Sequence, residues 1–143
     1  MRSRDALDSQ EALVLTMVLV AAADGGITDR EIGVMAGQVG TLPVFRDFRT
    51  EQFDQVTEAA VALLRQEDGL DRAARMIRSA LDVRLRETAY ALACEVVAAD
   101  MGQKPSSLEM LAYVKAELHL DSLVATAIER AVRARHQRVD LTP

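Results

Sequence analysis

The chain has 143 residues, 50% of them hydrophobic and 27% charged, with a formal net charge of −5. Such a composition excludes a disordered segment, and the length suits one compact domain with a core of its own. The acidic balance speaks against general nucleic-acid binding, and a single cysteine excludes an intrachain disulfide.

Tryptophan is absent and only three Phe and two Tyr occur, which favours close helix packing over a β-sandwich. The prolines, Pro43, Pro105 and Pro143, fall at loop or terminal positions. Cys94 lies in a run of small apolar residues with no base or cation beside it, so a buried, inert thiol is expected.

Arg2 and Arg4 precede an apolar run from Ala12 to Ala23, broken only by Thr16, which has the outline of a secretory leader. Asp5, Asp8 and Glu11 put acidic charge where a leader would be basic. The stretch from Ala89 to Ala99 repeats the same kind of run inside the chain. The expectation is a central helix buried on most sides and a cytoplasmic protein. The run is also too short for a membrane span, which needs about 20 apolar residues.

In chain order, Asp8 with Glu11 forms a capping box that opens a helix to about Ala23. Thr28 with Glu31 opens the second, which ends near Gly40. Thr50 caps a third, with Phe53, Val56, Ala60 and Leu64 on one stripe, stopped at Asp68-Gly69. Asp71 begins a shorter fourth helix carrying Ala74, Ile77 and Leu81. Asp82 caps a fifth, striped by Leu85, Ala89, Leu92, Val96 and Ala99. Ser106 with Glu109 opens the sixth, and Asp121 caps the seventh through Val124, Ile128 and Val132. No alternating run with hairpin turn chemistry is present, so the expected class is all-α: about seven helices in one domain spanning 1–143. Its core is expected over about 8–132, with a basic tail at 133–143.

Two stretches share one pattern. Val-Ala-Ala-Ala-Asp24 is followed by Glu31, and Val-Val-Ala-Ala-Asp100 by Glu109; Leu42 and Leu120 each lie eleven residues beyond their glutamate. Asp24 and Asp100 end apolar helices, where the helix dipole disfavours a carboxylate by about 0.3–1 kcal/mol unless something compensates. An Asx-turn or a bound cation would do so. Glu31 and Glu109 read as first-turn caps, with Gly25 as a left-handed helix stop. The alternative is a hard-cation site built from Asp24, Glu31, Asp100 and Glu109. The spacing Asp24-Gly25-x-Ile27-x-x-x-Glu31 fits the second half of an EF-hand loop, but Val20 and Ala22 stand where its first ligands belong.

The helix–Asp-Gly-x-Ile-x-x-x-Glu–helix module, with its Ala-Ala-Asp repeat about 76 residues later, resembles the TerB-like tellurite-resistance domain over about Asp8 to Val132. The resemblance implies seven helices in two related halves and a clustered acidic, metal-binding surface. It also implies a non-enzymatic part in bacterial stress response, with a protein partner at the inner membrane face. Its first motif falls on Asp24, Gly25, Ile27 and Glu31, its second only on Asp100 and Glu109. Met101 replaces the glycine, and Lys104 adds a positive charge to the second loop.

No other constellation carries chemistry. His119 and His136 with Cys94 make no zinc spacing, and neither a phosphate loop nor a nucleophile elbow is present. Each histidine is expected in a structural or surface role. Arg130, Arg133, Arg135 and Arg138 with His136 form the densest basic run, expected to complement a helix C-terminus and stay solvated. Contact with an anionic lipid or a protein is the alternative. Met17, Met76 and Met110 are expected in the core. The two leading functions are a cation- or partner-binding module and a structural or homo-oligomerising helical domain that uses the same residues as caps.

Overall fold

The computed structural model describes residues 7–99 and 104–141. They form seven α-helices: α1 (Ser9–Ala21), α2 (Asp29–Thr41), α3 (Thr50–Leu64), α4 (Gly69–Ala80), α5 (Val83–Ala99), α6 (Pro105–Glu117) and α7 (Ser122–Arg135). A 3₁₀ turn at Pro43–Phe45 joins α2 to α3, and no strand occurs among the described residues.

Helix α1 is the axle of the molecule. Every residue from Ala12 to Ala21 is buried, including Thr16, whose hydroxyl donates to the Ala12 carbonyl at 2.8 Å. A helix apolar on all sides is stable in water only when neighbours cover all sides. Helices α3, α4, α5 and α6 all pack on it. Its start is fixed by the expected box: Asp8 Oδ1 accepts from Glu11 N at 2.8 Å, and Glu11 Oε1 from Asp8 N at 3.0 Å. Gln10 Nε2 then donates to the carbonyls of Val44 and Arg46, tying the 3₁₀ turn to α1.

The contacts are reciprocal between the two ends of the chain. Helices α1 and α5 pack together; α1 meets α6 as α5 meets α2, and α3 lies on α1 as α7 lies on α5. The repeated helix–loop–helix pattern therefore coincides with a repeated packing pattern, with α4 as the connecting element.

Three helix starts differ from expectation. Arg49, not Thr50, is the N-cap of α3, its N–H served by Gln52 Oε1 at 2.9 Å. Helix α4 begins at Gly69 rather than Asp71. A Cβ on Gly69 would stand 1.9 Å from the Leu63 carbonyl oxygen, so the α3–α4 corner requires glycine. Helix α6 begins at Pro105 with Lys104 at the N-cap, and the Ser106–Glu109 box is not made. Proline favours the first helical position, where its missing N–H costs nothing, and this moves the start ahead of Ser106. The remaining caps are as expected: Asp82 Oδ1 accepts from Leu85 N at 2.9 Å, and Asp121 Oδ2 from Val124 N at 3.2 Å.

The apolar stripes close over this frame. Phe53, Ala60, Ala74, Ile77, Leu81, Ala89, Leu92, Val96 and Val132 are buried, as is Met17, with Met110 packed partly buried against the core. Arg86 reaches back from α5 to the carbonyls of Leu81 and Arg78 at 3.0 and 2.8 Å, satisfying acceptors that the end of α4 leaves over. No described helix is long and apolar enough to cross a membrane.

Candidate functional site

Helix α1 stops at Ala21, and the chain turns through Gly25 at φ 100°, its N–H donating to the Ala22 carbonyl at 3.0 Å. Only glycine takes that backbone conformation without strain, so Gly25 is the stop that the sequence suggests. Beside it stands Asp24, near the negative end of the α1 dipole. Its compensation is Lys104 of the other repeated loop, whose Nζ lies 2.5 Å from Asp24 Oδ2 across 80 residues of sequence. That hydrogen bond holds the Asp24 carboxyl below the usual carboxylate range. Partial desolvation opposes it, while the Lys104 charge and the N–H groups of Asp24 and Gly26 add to it. The start of α6 therefore meets the first loop, and the group that joins them is an internal cation.

Glu31 is the third residue of α2 and is buried. Its Oε1 accepts from Thr28 N at 2.8 Å while its own N–H donates to Thr28 Oγ1 at 3.1 Å, completing the capping box. The carboxylate is thus engaged in holding the helix start. Its counterpart is not Glu109. Counting from Pro105, the third residue of α6 is Ser107, also buried, whereas Glu109 lies two residues further on and is exposed. The two-residue insertion in the second loop shifts the glutamate out of the capping position. Asp100 lies outside the described residues. Val20, where an EF-hand would need an oxygen ligand, is buried inside α1. Among the described residues, no three His, Cys, Asp or Glu side chains are grouped to hold a metal ion.

A second polar constellation, between α5, α6 and α7, is one the sequence reading does not anticipate. Glu95 is buried on α5 and accepts from Arg135 Nε at 2.5 Å, with His136 Nε2 at 2.6 Å from its other oxygen. Part of the C-terminal basic run is therefore not simply solvated: Arg135 neutralises a buried carboxylate, and the His136 ring is within hydrogen-bonding distance of it. One turn earlier, the hydroxyl of buried Tyr90 donates to Glu129 Oε2 at 2.5 Å, and Lys115 Nζ lies 3.1 Å from the same oxygen. The Tyr90 hydrogen bond is the main cause holding Glu129 below its ordinary pKa, while burial drives the Tyr90 phenol strongly upward. Glu95 interrupts an otherwise apolar run, and that charge in a buried helix is the signal that could have exposed this cluster.

Cys94 is buried as expected, and desolvation pushes its thiol up from 9.0 to about 11, the opposite of an activated nucleophile. His119 sits exposed just past α6 at φ 55°, in the left-handed position common after a helix end. No protein-family model, curated protein or solved structure matches this chain.

Proposed function

We propose that the chain is a non-enzymatic interaction module of the TerB-like kind, which receives a cationic group on the acidic loop face around Asp24. The observation that carries this reading is the Asp24–Lys104 contact at 2.5 Å. A carboxylate placed against a helix dipole is held by a lysine from the opposite repeat, and an external cation would bind there by exchange with that lysine. Glu31 is left out of the ligand set because its oxygen serves Thr28 N. Asp100, four residues before Lys104 in sequence, and exposed Glu109 are the further oxygen donors of the reading. The cation has two sources, a hard divalent ion or a basic side chain of a partner protein.

Calorimetric titration separates them. Metal-stripped wild type, Lys104→Met and Asp24→Asn are titrated with Ca²⁺, Mg²⁺, Mn²⁺ and Zn²⁺, and separately with an oligolysine peptide. Removing the internal competitor in Lys104→Met should strengthen binding of one probe by about tenfold, and Asp24→Asn should abolish it. Absence of saturable heat with every probe in all three proteins would overturn the proposal.

A second reading is favoured by the burial of Glu31 and its reciprocal bonds with Thr28. Under it the loops only close the two halves of a structural domain.

A further inference from the structure

An open groove of about 530 Å³ lies between α5, α6 and α7, and Asp24 is not among its lining residues. Its size falls within the roughly 300–1,000 Å³ typical of small-molecule sites. Val97, Leu108, Leu111 and Val132 give it an apolar wall, and Leu108 keeps 45% of its surface exposed. The rim is charged, and among the described residues its charges do not cancel. Glu129 is met by Lys115 and Tyr90, and Glu95 just beneath by Arg135 and His136. Arg133 and Arg138 also line the groove, and among the described residues neither forms an ion pair. Arg133 acts on Glu129 only as a weaker, longer-range influence than Tyr90 and Lys115. In a chain with a net charge of −5, two guanidiniums without an ion pair among the described residues thus stand over an apolar wall.

We infer that this groove binds an anionic amphiphile, a single-chain carboxylate whose head meets Arg133 and Arg138 and whose tail lies along Leu108, Leu111 and Val97. Guanidinium groups take a carboxylate in a paired, planar hydrogen-bonding geometry, which fixes the head. The tail gains by covering Leu108, which keeps 45% of its surface in water, and half-buried Leu111, over a floor of buried Val97 and Val132. Both carboxylates at the groove already hold cationic partners, so they offer no strong site to a cationic ligand.

The chain contains no tryptophan, so Gln137→Trp places a single fluorescent reporter at the exposed rim of the groove and leaves the proposed wall and head-group residues intact. Sodium decanoate is titrated into this protein, with decyltrimethylammonium as the same tail bearing the opposite charge. The expected result is a saturable change with decanoate and none with the cationic amphiphile. In the Gln137→Trp background, Arg133→Gln with Arg138→Gln should weaken decanoate binding by about tenfold or more. Both arginines are exposed, so circular dichroism should show the fold unchanged in that variant. Failure of decanoate to saturate, an equal response to both head groups, or undiminished binding after loss of the arginines would each overturn the inference. None of these outcomes depends on the cation exchange proposed at Asp24.

Discussion

Glu31 shows how one side chain of an expected ligand set also serves the fold through a local bond. Its acceptor oxygen satisfies Thr28 N, one of the donors that a helix start leaves without a partner. Replacing it by alanine orphans that donor in a half-buried setting and should cost about 1–2 kcal/mol. Glu31→Gln keeps an acceptor of the same reach and should cost no more than about 0.5 kcal/mol. Urea unfolding of both variants, compared at unchanged m, checks this. An equal loss in the two would mean that the charge itself, rather than the acceptor, holds the loop, and would return Glu31 to the site. Asp24 is the opposite case: its position against the α1 dipole announces a need for compensation, and the compensating group comes from far away in sequence.

At the level of the elements, the starts of helices were readable where a side-chain cap and the first apolar turn agree. That holds at Asp8, Thr28, Asp82 and Asp121. At α6 the structure differs from expectation because Ser106 and Glu109 have the letters of a capping box, while Pro105 has the stronger claim on the first helical position. It differs at α4 because the α3–α4 corner is fixed by a backbone approach that no pattern of polarity displays. That corner is testable. Gly69→Ala should destabilise the fold by about 1–3 kcal/mol, although alanine is the better helix former, because its Cβ would run into the Leu63 carbonyl. Thermal or urea unfolding measures the loss, and a neutral or stabilised variant would show that the corner is not constrained as described.

Over the whole molecule, the apolar runs of α1 and α5 specify two central helices, and the repeated pattern around them matches the reciprocal packing of α1–α3 and α5–α7. Hydrophobic periodicity carries this much because it reports which face of an element is covered. It does not report which polar groups from distant elements end up opposite one another. The Glu95 pairings with Arg135 and His136 span 40 and 41 residues, and Asp24 to Lys104 spans 80. Lys104 was visible in the sequence as an oddity in an acidic loop, but its partner was not. The same limit applies to the groove between α5, α6 and α7, whose arginines looked like a solvated helix end.

Asp24 and Lys104 face each other between the first loop and the start of α6, and the titration of one carboxyl tests that pairing most directly. Because the lysine depresses the pKa of Asp24, the pair contributes stability above 3.8, the ordinary Asp value, and loses it as pH falls through the lower folded value. Carbon-13 NMR of the Asp24 carboxyl should show a midpoint below 3.8 in wild type that moves back toward 3.8 in Lys104→Met. A wild-type midpoint at or above the ordinary value, unmoved by loss of Lys104, would contradict the pairing of the first loop with the start of α6.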